Sequence, residues 1–246
     1  MSDKSTTKLV LKKVSHSYGA VEVLSNINLE VTPGEVIVLV GPSGCGKTTI
    51  LNLLSGYINP SSGSITREGA IRTVYQQDGL FPWLTVSENT SMGLRAMQDQ
   101  AQRDREMAEL LELVHLTGFG NHYPHQLSGG MRQRAELARV LAGDSDILLM
   151  DEPFSALDYQ ARLMMRTELI RVLQKRPRTV VFVTHDIEEA AQLADRVLVL
   201  SKRPATVCCE LRISTKRPRH VGDDEVVATM RRIYAELGLS NPNHTE

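Results

Sequence analysis

Apolar residues along the chain fall in short blocks, and the blocks repeat in kind. Val36–Val40 (VIVLV), Ile147–Met150 (ILLM), Thr179–Thr184 (TVVFVT) and the run RVLVLS from Arg196 are continuous apolar stretches, as in strands buried on both faces of a parallel sheet. Between them the period lengthens to that of a helix: Thr48 to Leu54, then Met165, Leu169, Val172 and Leu173, then Ile187, Ala190, Ala191 and Ala194 over a helix at 187–194. Ahead of Val36 the pattern is that of short strands. KLVLKKV leads to a turn at His16–Gly19, and INLEV runs into Thr32-Pro33-Gly34, which predicts an antiparallel hairpin layer. SITREGAIRTVYQQ reads as two short strands of one hairpin joined near Glu68-Gly69, and TVCCELRI as a late strand that sends Cys208 and Cys209 to opposite faces. From about Thr85 to Leu116 a charged segment carries Met107, Leu110, Leu111 and Val114 at helical spacing, which interrupts the alternation and predicts an inserted helical subdomain at about 85–142. A last amphipathic helix with Val227, Met230, Tyr234 and Leu237 stops at Gly238. The fold class expected is α/β: a mostly parallel core sheet flanked by helices, with an antiparallel β layer and an inserted α-helical subdomain.

Composition changes this picture little. With 246 residues and 41% hydrophobic content the chain can bury a substantial core. A net charge of −1 gives no bulk attraction for nucleic acid, so none is expected as a partner. Cys45, Cys208 and Cys209 form neither a metal-binding spacing nor an even disulfide framework, which suits a reducing compartment. The start MSDKSTTK lacks the apolar region of a signal peptide, and no window approaches eighteen consecutive apolar residues. Any membrane role is therefore expected to come through a partner.

The candidate chemistry centres on Gly41 to Thr49, GPSGCGKTT, which fits the phosphate-loop spacing of Gly, four free positions, Gly, Lys and Ser or Thr. Gly41, Gly44 and Gly46 permit positive φ, so successive amides can turn inward around an anion. Lys47 adds a point charge, Thr48 a hydroxyl for Mg²⁺, and the helix N-terminus its dipole. A plain glycine turn with a surface lysine is the alternative; the strand before and helix after it favour the phosphate loop. Ser128, Gly129 and Gly130 open a second helix in the same manner, as a cap of structural value or as a second anion site. Asp151 and Glu152 end an apolar strand, where alternation sends neighbouring side chains to opposite sides and gives them separate tasks: one for Mg²⁺, the other to orient or deprotonate a water. His185 follows a parallel strand at its carboxyl end, the edge where open α/β sheets bind ligands. Tyr18 can stack on a base or pack the hairpin edge. Leu80-Phe81-Pro82-Trp83-Leu84, beside Gln76, is core packing under a loop or a docking surface.

With GPSGCGKTT, LSGGMRQR, ILLMDEP, SALD and VTHD in this order, the chain resembles an ATP-binding-cassette ATPase subunit, a P-loop NTPase, over nearly its whole length. The segment QQDGLFPW and the SKRP step resemble the ATPases of nitrate, sulfonate, taurine and bicarbonate importers. The resemblance implies a disordered start at 1–7, a cassette domain over 8–213, and a short linker, C-terminal helix and tail over 214–246. It implies that ATP lies against Tyr18 and the loop Gly41, Pro42, Ser43, Gly44, Cys45, Gly46, Lys47, Thr48 and Thr49. Mg²⁺ would be held by Thr48 with Asp151 and sensed, with the attacking water, by Gln76. Glu152 would be the general base and His185 the γ-phosphate switch. Ser128, Gly129 and Gly130 would serve the ATP of a second subunit, with Asp158 across that interface. The partners implied are a second ATPase copy, arranged head to tail, an integral membrane permease reached through Gln76 to Trp83, and, indirectly, a periplasmic or lipid-anchored substrate-binding protein. The place implied is the cytoplasmic face of a bacterial inner membrane, peripherally. The closer rival reading is an exporter ATPase; the other is a soluble cassette protein acting on ribosomes or DNA, a class that usually carries two cassettes or a long coiled-coil insertion. Two departures stand out: Glu136 occupies a position where the family more often has a small residue, and no proline precedes the Asp151 strand. The chain also lacks the long extension of sugar importers, so no regulatory domain is expected. The Cys45 thiol is expected beside the site, open to alkylation and protected by ATP.

Overall fold

The computed structural model of the chain describes residues 8–75 and 79–239. Residues 1–7, Gln76 with Gln77 and Asp78, and the tail 240–246 lie outside the described residues, so the readings made on them have no structural counterpart here. In chain order the elements are β1 (Lys8–Tyr18), β2 (Val21–Val31), β3 (Val36–Val40), α1 (Lys47–Ser55), β4 (Ser62–Glu68), β5 (Ile71–Val74), α2 (Val86–Ser91) and α3 (Gln100–Leu113). They continue as α4 (Gly129–Leu141), β6 (Ile147–Asp151), α5 (Tyr159–Lys175), β7 (Thr179–Val183), α6 (Ile187–Leu193), β8 (Arg196–Leu200), β9 (Val207–Arg212) and α7 (Asp224–Glu236).

Two sheets form, ordered β2-β1-β4 and β5-β6-β7-β3-β8-β9. β3 pairs in parallel with β7 and β8, and β9 closes the edge antiparallel to β8. Every residue of β3, β6, β7 and β8 is buried, which is why these strands read as unbroken apolar runs. The chain divides into two compact units. The first comprises Met1–Ile71, Asp146–Met150 and Pro177–Glu246; the second comprises Arg72–Ser145 and Asp151–Arg176. The core of the first unit joins the antiparallel layer (Leu9, Leu11, Ile27) to β3 and α1 (Ile37, Leu39, Ile50, Leu54).

Three local expectations are revised. β1 does not turn at His16 but continues through Tyr18, with the reversal at Gly19 (φ 60), because register shifts between Leu11 and Ser17 absorb extra residues without ending the ladder. Ser62 to Val74 is not one hairpin: β4 pairs with β1, whereas β5 belongs to the other sheet. The change of sheet is made at Gly69 (φ 108), where a Cβ would lie 2.9 Å from that of Asp146, and Asp146 fixes the next residue by accepting from the Ala70 amide at 2.7 Å. The buried stripe of α7 is Val226, Thr229 and Ile233, one residue off the predicted face, and Tyr234 is exposed. Thr229 hides that stripe from a reading of apolar spacing.

The linker before α7 is held by charge-assisted hydrogen bonds. Buried Arg219 donates to the carbonyls of Gln192 (3.2 Å), Ala194 (2.6 Å) and Thr215 (2.6 Å), which satisfies the open end of α6. Glu225 accepts from the amides of Ser214 (2.9 Å) and Thr215 (2.7 Å) and from both hydroxyls; the Thr215 hydroxyl is the largest of the causes that lower its carboxyl to about 2.

Candidate functional site

In the first unit β3 ends at Val40 and the chain turns through Gly41–Gly46 into α1. Gly44 (φ 71) and Gly46 (φ 121) take the conformation that glycine alone adopts freely. Gly46 also meets a packing limit, since a Cβ there would fall 2.8 Å from Leu24 Cδ2 and 2.9 Å from Val23 Cγ1. Gly46 is the N-cap of α1, and no side chain caps that end. The first-turn amides and the dipole of α1 are thus arranged to receive an anion. The Lys47 side chain is folded back on the loop, its Nζ donating to the carbonyls of Gly41 (2.8 Å) and Pro42 (3.0 Å), and it is 7% exposed. An arriving phosphate would compete with these two neutral acceptors for the ammonium. Thr48 is exposed in the first turn, Thr49 is buried, and Pro42 and Ser43 lie on the accessible side of the loop.

Cys45 departs from the expectation. It is 2% exposed and packs in the core cluster, with its Sγ 3.0 Å from the place a Gly41 Cβ would take. Burial raises its thiol pKa, opposed in part by the charges of Lys47 and Arg203, so the thiol is both covered and protonated. Arg203 itself was missed by sequence reasoning. Its Nη2 lies 3.2 Å from the Cβ position of Gly44, which brings a second cation from the β8–β9 connection to the phosphate loop. The SKRP segment gave the only signal.

β7 runs parallel to β3 with Val183 opposite Leu39, so their carboxyl ends lie side by side in this unit. Beyond β7, His185 is exposed, and the turn around it is fixed by Thr184. Thr184 Oγ1 donates to Glu189 at 2.7 Å and accepts from the Asp186 amide at 2.9 Å, while Asp186 caps α6. Tyr18 is 50% exposed at the end of β1, its ring set edge-on to buried His16 with centroids 4.7 Å apart. Packing at the hairpin edge and an available ring face therefore coexist in this tyrosine.

In the second unit Ser128 is the N-cap of α4, its hydroxyl accepting from the Met131 amide at 3.3 Å. Gly130 approaches the turn after β6 so closely that a Cβ would lie 3.1 Å from Leu157 Cδ2. Asp151, 4% exposed, is the last residue of β6. Glu152 has already left the strand with φ 48, a conformation that costs about 1–3 kcal/mol in a residue other than glycine. A bend, not alternation along a strand, therefore separates the two acids, and Pro153 disfavours right-handed helical geometry at position 152. The bend is held by Gln133 of α4, whose side chain donates to the Glu152 carbonyl (3.1 Å) and accepts from the Ala156 amide (3.0 Å). Gln133 was also missed. It is a polar residue on the buried stripe shared with Leu137 and Leu141, and that mismatch was its signal. Asp158 caps α5 by accepting from the Ala161 amide at 2.9 Å. Gln76 lies outside the described residues; after it, Leu80 is buried, whereas Trp83 is 68% exposed with Phe81 packed 5.5 Å from it.

Comparison with known proteins gives the family of the chain. Residues 24–155 match the ABC transporter family. The chain is 44% identical to the aliphatic sulfonates import ATP-binding protein SsuB 1 of Rhodococcus jostii, over 89% of each chain. It is 38% identical to the taurine import ATP-binding protein TauB of Pelagibacter ubique, over 85% of this chain and 88% of that one. The dimeric, post-hydrolysis structure of the ATP-binding cassette MJ0796 bound to ADP and Pi superimposes with a TM-score of 0.76 and 31% identity, covering 85% of this chain and all of that one. The chain belongs to the ABC transporter family as an ATP-binding subunit, an ATPase.

Proposed function

We propose that the chain energises a membrane importer of small anions, with sulfonates such as taurine as the substrate class. The observation that carries this reading is the likeness, over nearly the full length of both chains, to an import ATP-binding protein for aliphatic sulfonates. Residues 8–213 act as the cassette domain, its helical subdomain at about 85–142, and 214–246 as an appended linker, helix and tail. The adenine lies on the free face of Tyr18. The amides of Gly44 to Thr49 receive the phosphates, with Gly41, Pro42 and Ser43 forming the near wall, and Lys47 exchanges its two carbonyl partners for phosphate oxygens.

Mg²⁺ prefers oxygen donors, which the side chains of Thr48, Asp151 and Gln76 offer, and when bound it neutralises charge on the β- and γ-phosphates. Glu152 takes the proton of the attacking water, and its strained backbone, held by Gln133, fixes where its carboxylate starts. His185 hydrogen-bonds the γ-phosphate. Ser128, Gly129 and Gly130 contact the ATP of a second copy, with Asp158 at the same interface, so ATP binding closes a head-to-tail dimer and hydrolysis reopens it. The dimeric state of the MJ0796 cassette supports this assembly. Exposed Trp83, backed by part-buried Phe81, suits a permease contact. The subunit then works peripherally at the cytoplasmic face of the inner membrane, and a substrate-binding protein on the far side supplies the anion.

The test is reconstitution with the multi-span permease encoded beside it. ATP hydrolysis in proteoliposomes is expected to rise when binding protein and taurine or an alkanesulfonate are added together. Stimulation by nitrate or bicarbonate alone would overturn the substrate class, and copurification with ribosomes would overturn transport.

A further inference from the structure

Glu136, the unusual residue of the LSGG helix, is 1% exposed in the middle of α4. Its two carboxylate oxygens are used separately. Oε1 accepts from the Tyr75 amide at 3.3 Å and Oε2 from the Gly79 amide at 3.0 Å, while Arg139 Nη2 lies 3.7 Å away. A buried carboxylate is tolerated only when hydrogen-bonded and paired, and both conditions are met here. Burial lowers the pKa of the Arg139 guanidinium, and the charge of Glu136 acts against that.

The backbone at Gly79 comes so near that a Cβ would stand 2.4 Å from Glu136 Oε1 and 2.8 Å from Arg139 Nη2. Upstream, Arg72 lies against Gly143, just past the end of α4, so closely that a Cβ there would fall 2.0 Å from its Cζ. Hence the backbone is fastened to α4 at Tyr75 and Gly79, and Arg72 packs just beyond the end of that helix. All of these residues belong to the second unit.

We infer that Glu136 is a positioning residue that ties the backbone at Tyr75 and at Gly79 to the helix beginning at Ser128–Gly130. An aliphatic residue of the same size would fill the space in α4 without holding either amide. The functional part of the inference rests on the proposed ATPase mechanism, in which the LSGG helix end and Gln76 both act at nucleotide; the clamp itself does not.

The test uses the full chain with Glu136→Gln, Glu136→Ala and Gly79→Ala. A glutamine keeps one acceptor and turns a donor toward the other amide, and an alanine at 79 pushes the carboxylate away. Hydrogen–deuterium exchange is expected to rise at least tenfold at the Tyr75 and Gly79 amides in each variant. The kcat for ATP should fall at least tenfold with ADP affinity changed less than twofold, and Gly79→Ala combined with Glu136→Gln should be no worse than either alone. Unchanged exchange at both amides would overturn the clamp. A folded Glu136→Gln whose kcat stays within twofold of the parent, even with a lower melting temperature, would assign Glu136 to stability alone and overturn its positioning role. Lys47→Ala serves as the control: if it binds ATP normally, the phosphate-loop reading fails, while the exchange data still decide the clamp.

Discussion

At the scale of single residues, direction matters as much as position. Cys45 sits in a loop of glycines and polar residues, so nothing in its spacing says which way the thiol points. The positive φ values of Gly44 and Gly46 on either side turn it into the core, where burial keeps it protonated. Iodoacetamide is therefore expected to label Cys45 at least ~10-fold more slowly than exposed Cys208, with or without ATP, because the thiolate is the reactive form. Mass-spectrometric counting of adducts checks this, and activity loss that follows Cys45 labelling and is slowed by ATP would reverse it. The glycine turn before Lys47 and the Ser128 cap were legible because glycines that take positive φ and a serine ahead of a helix mark such ends in sequence. The surroundings of Gln133, Glu136 and Arg203 were not, since they lie far away in sequence: backbone groups for the first two, the phosphate loop at Gly44 for Arg203.

Elements were legible where burial was two-sided. β3, β6, β7 and β8 are unbroken apolar runs because both faces are covered. The partners of a strand were less visible: β4 and β5 are consecutive, yet they belong to different sheets because Asp146 captures Ala70 at the turn between them. The C-terminal linker and α7 give a prediction at this scale. Glu225 titrates near 2 in the folded chain, below its ordinary value of 4.5, so its contribution to stability is fully present above 4.5 and is lost as pH falls toward 2. Between pH 5 and 3.5 the parent should lose more of its melting temperature than Glu225→Gln does. The difference should shrink in high salt because the carboxylate is near the surface. Equal slopes for the two proteins would mean that Glu225 does not tie the linker to α7.

For the whole molecule, the N-terminal ends of α1 and α4 belong to different compact units of the chain. In the proposed assembly they serve different nucleotides. Glu152→Gln is then expected to retain ATP binding, to lower turnover by ~100-fold or more, and to accumulate a nucleotide-bound dimer at concentrations where the parent is monomeric. Light scattering with and without ATP, beside a steady-state assay, checks both parts; turnover near that of the parent would remove Glu152 from the role of base. The grip of Gln133 on the bend at Glu152 then has a consequence for timing. In the proposed dimer one copy's LSGG helix would contact its neighbour's ATP while Gln133 of that helix holds the bend carrying Glu152. Loss of either nucleotide would then disturb the machinery around the other, so the two sites of such a pair are expected to fire together.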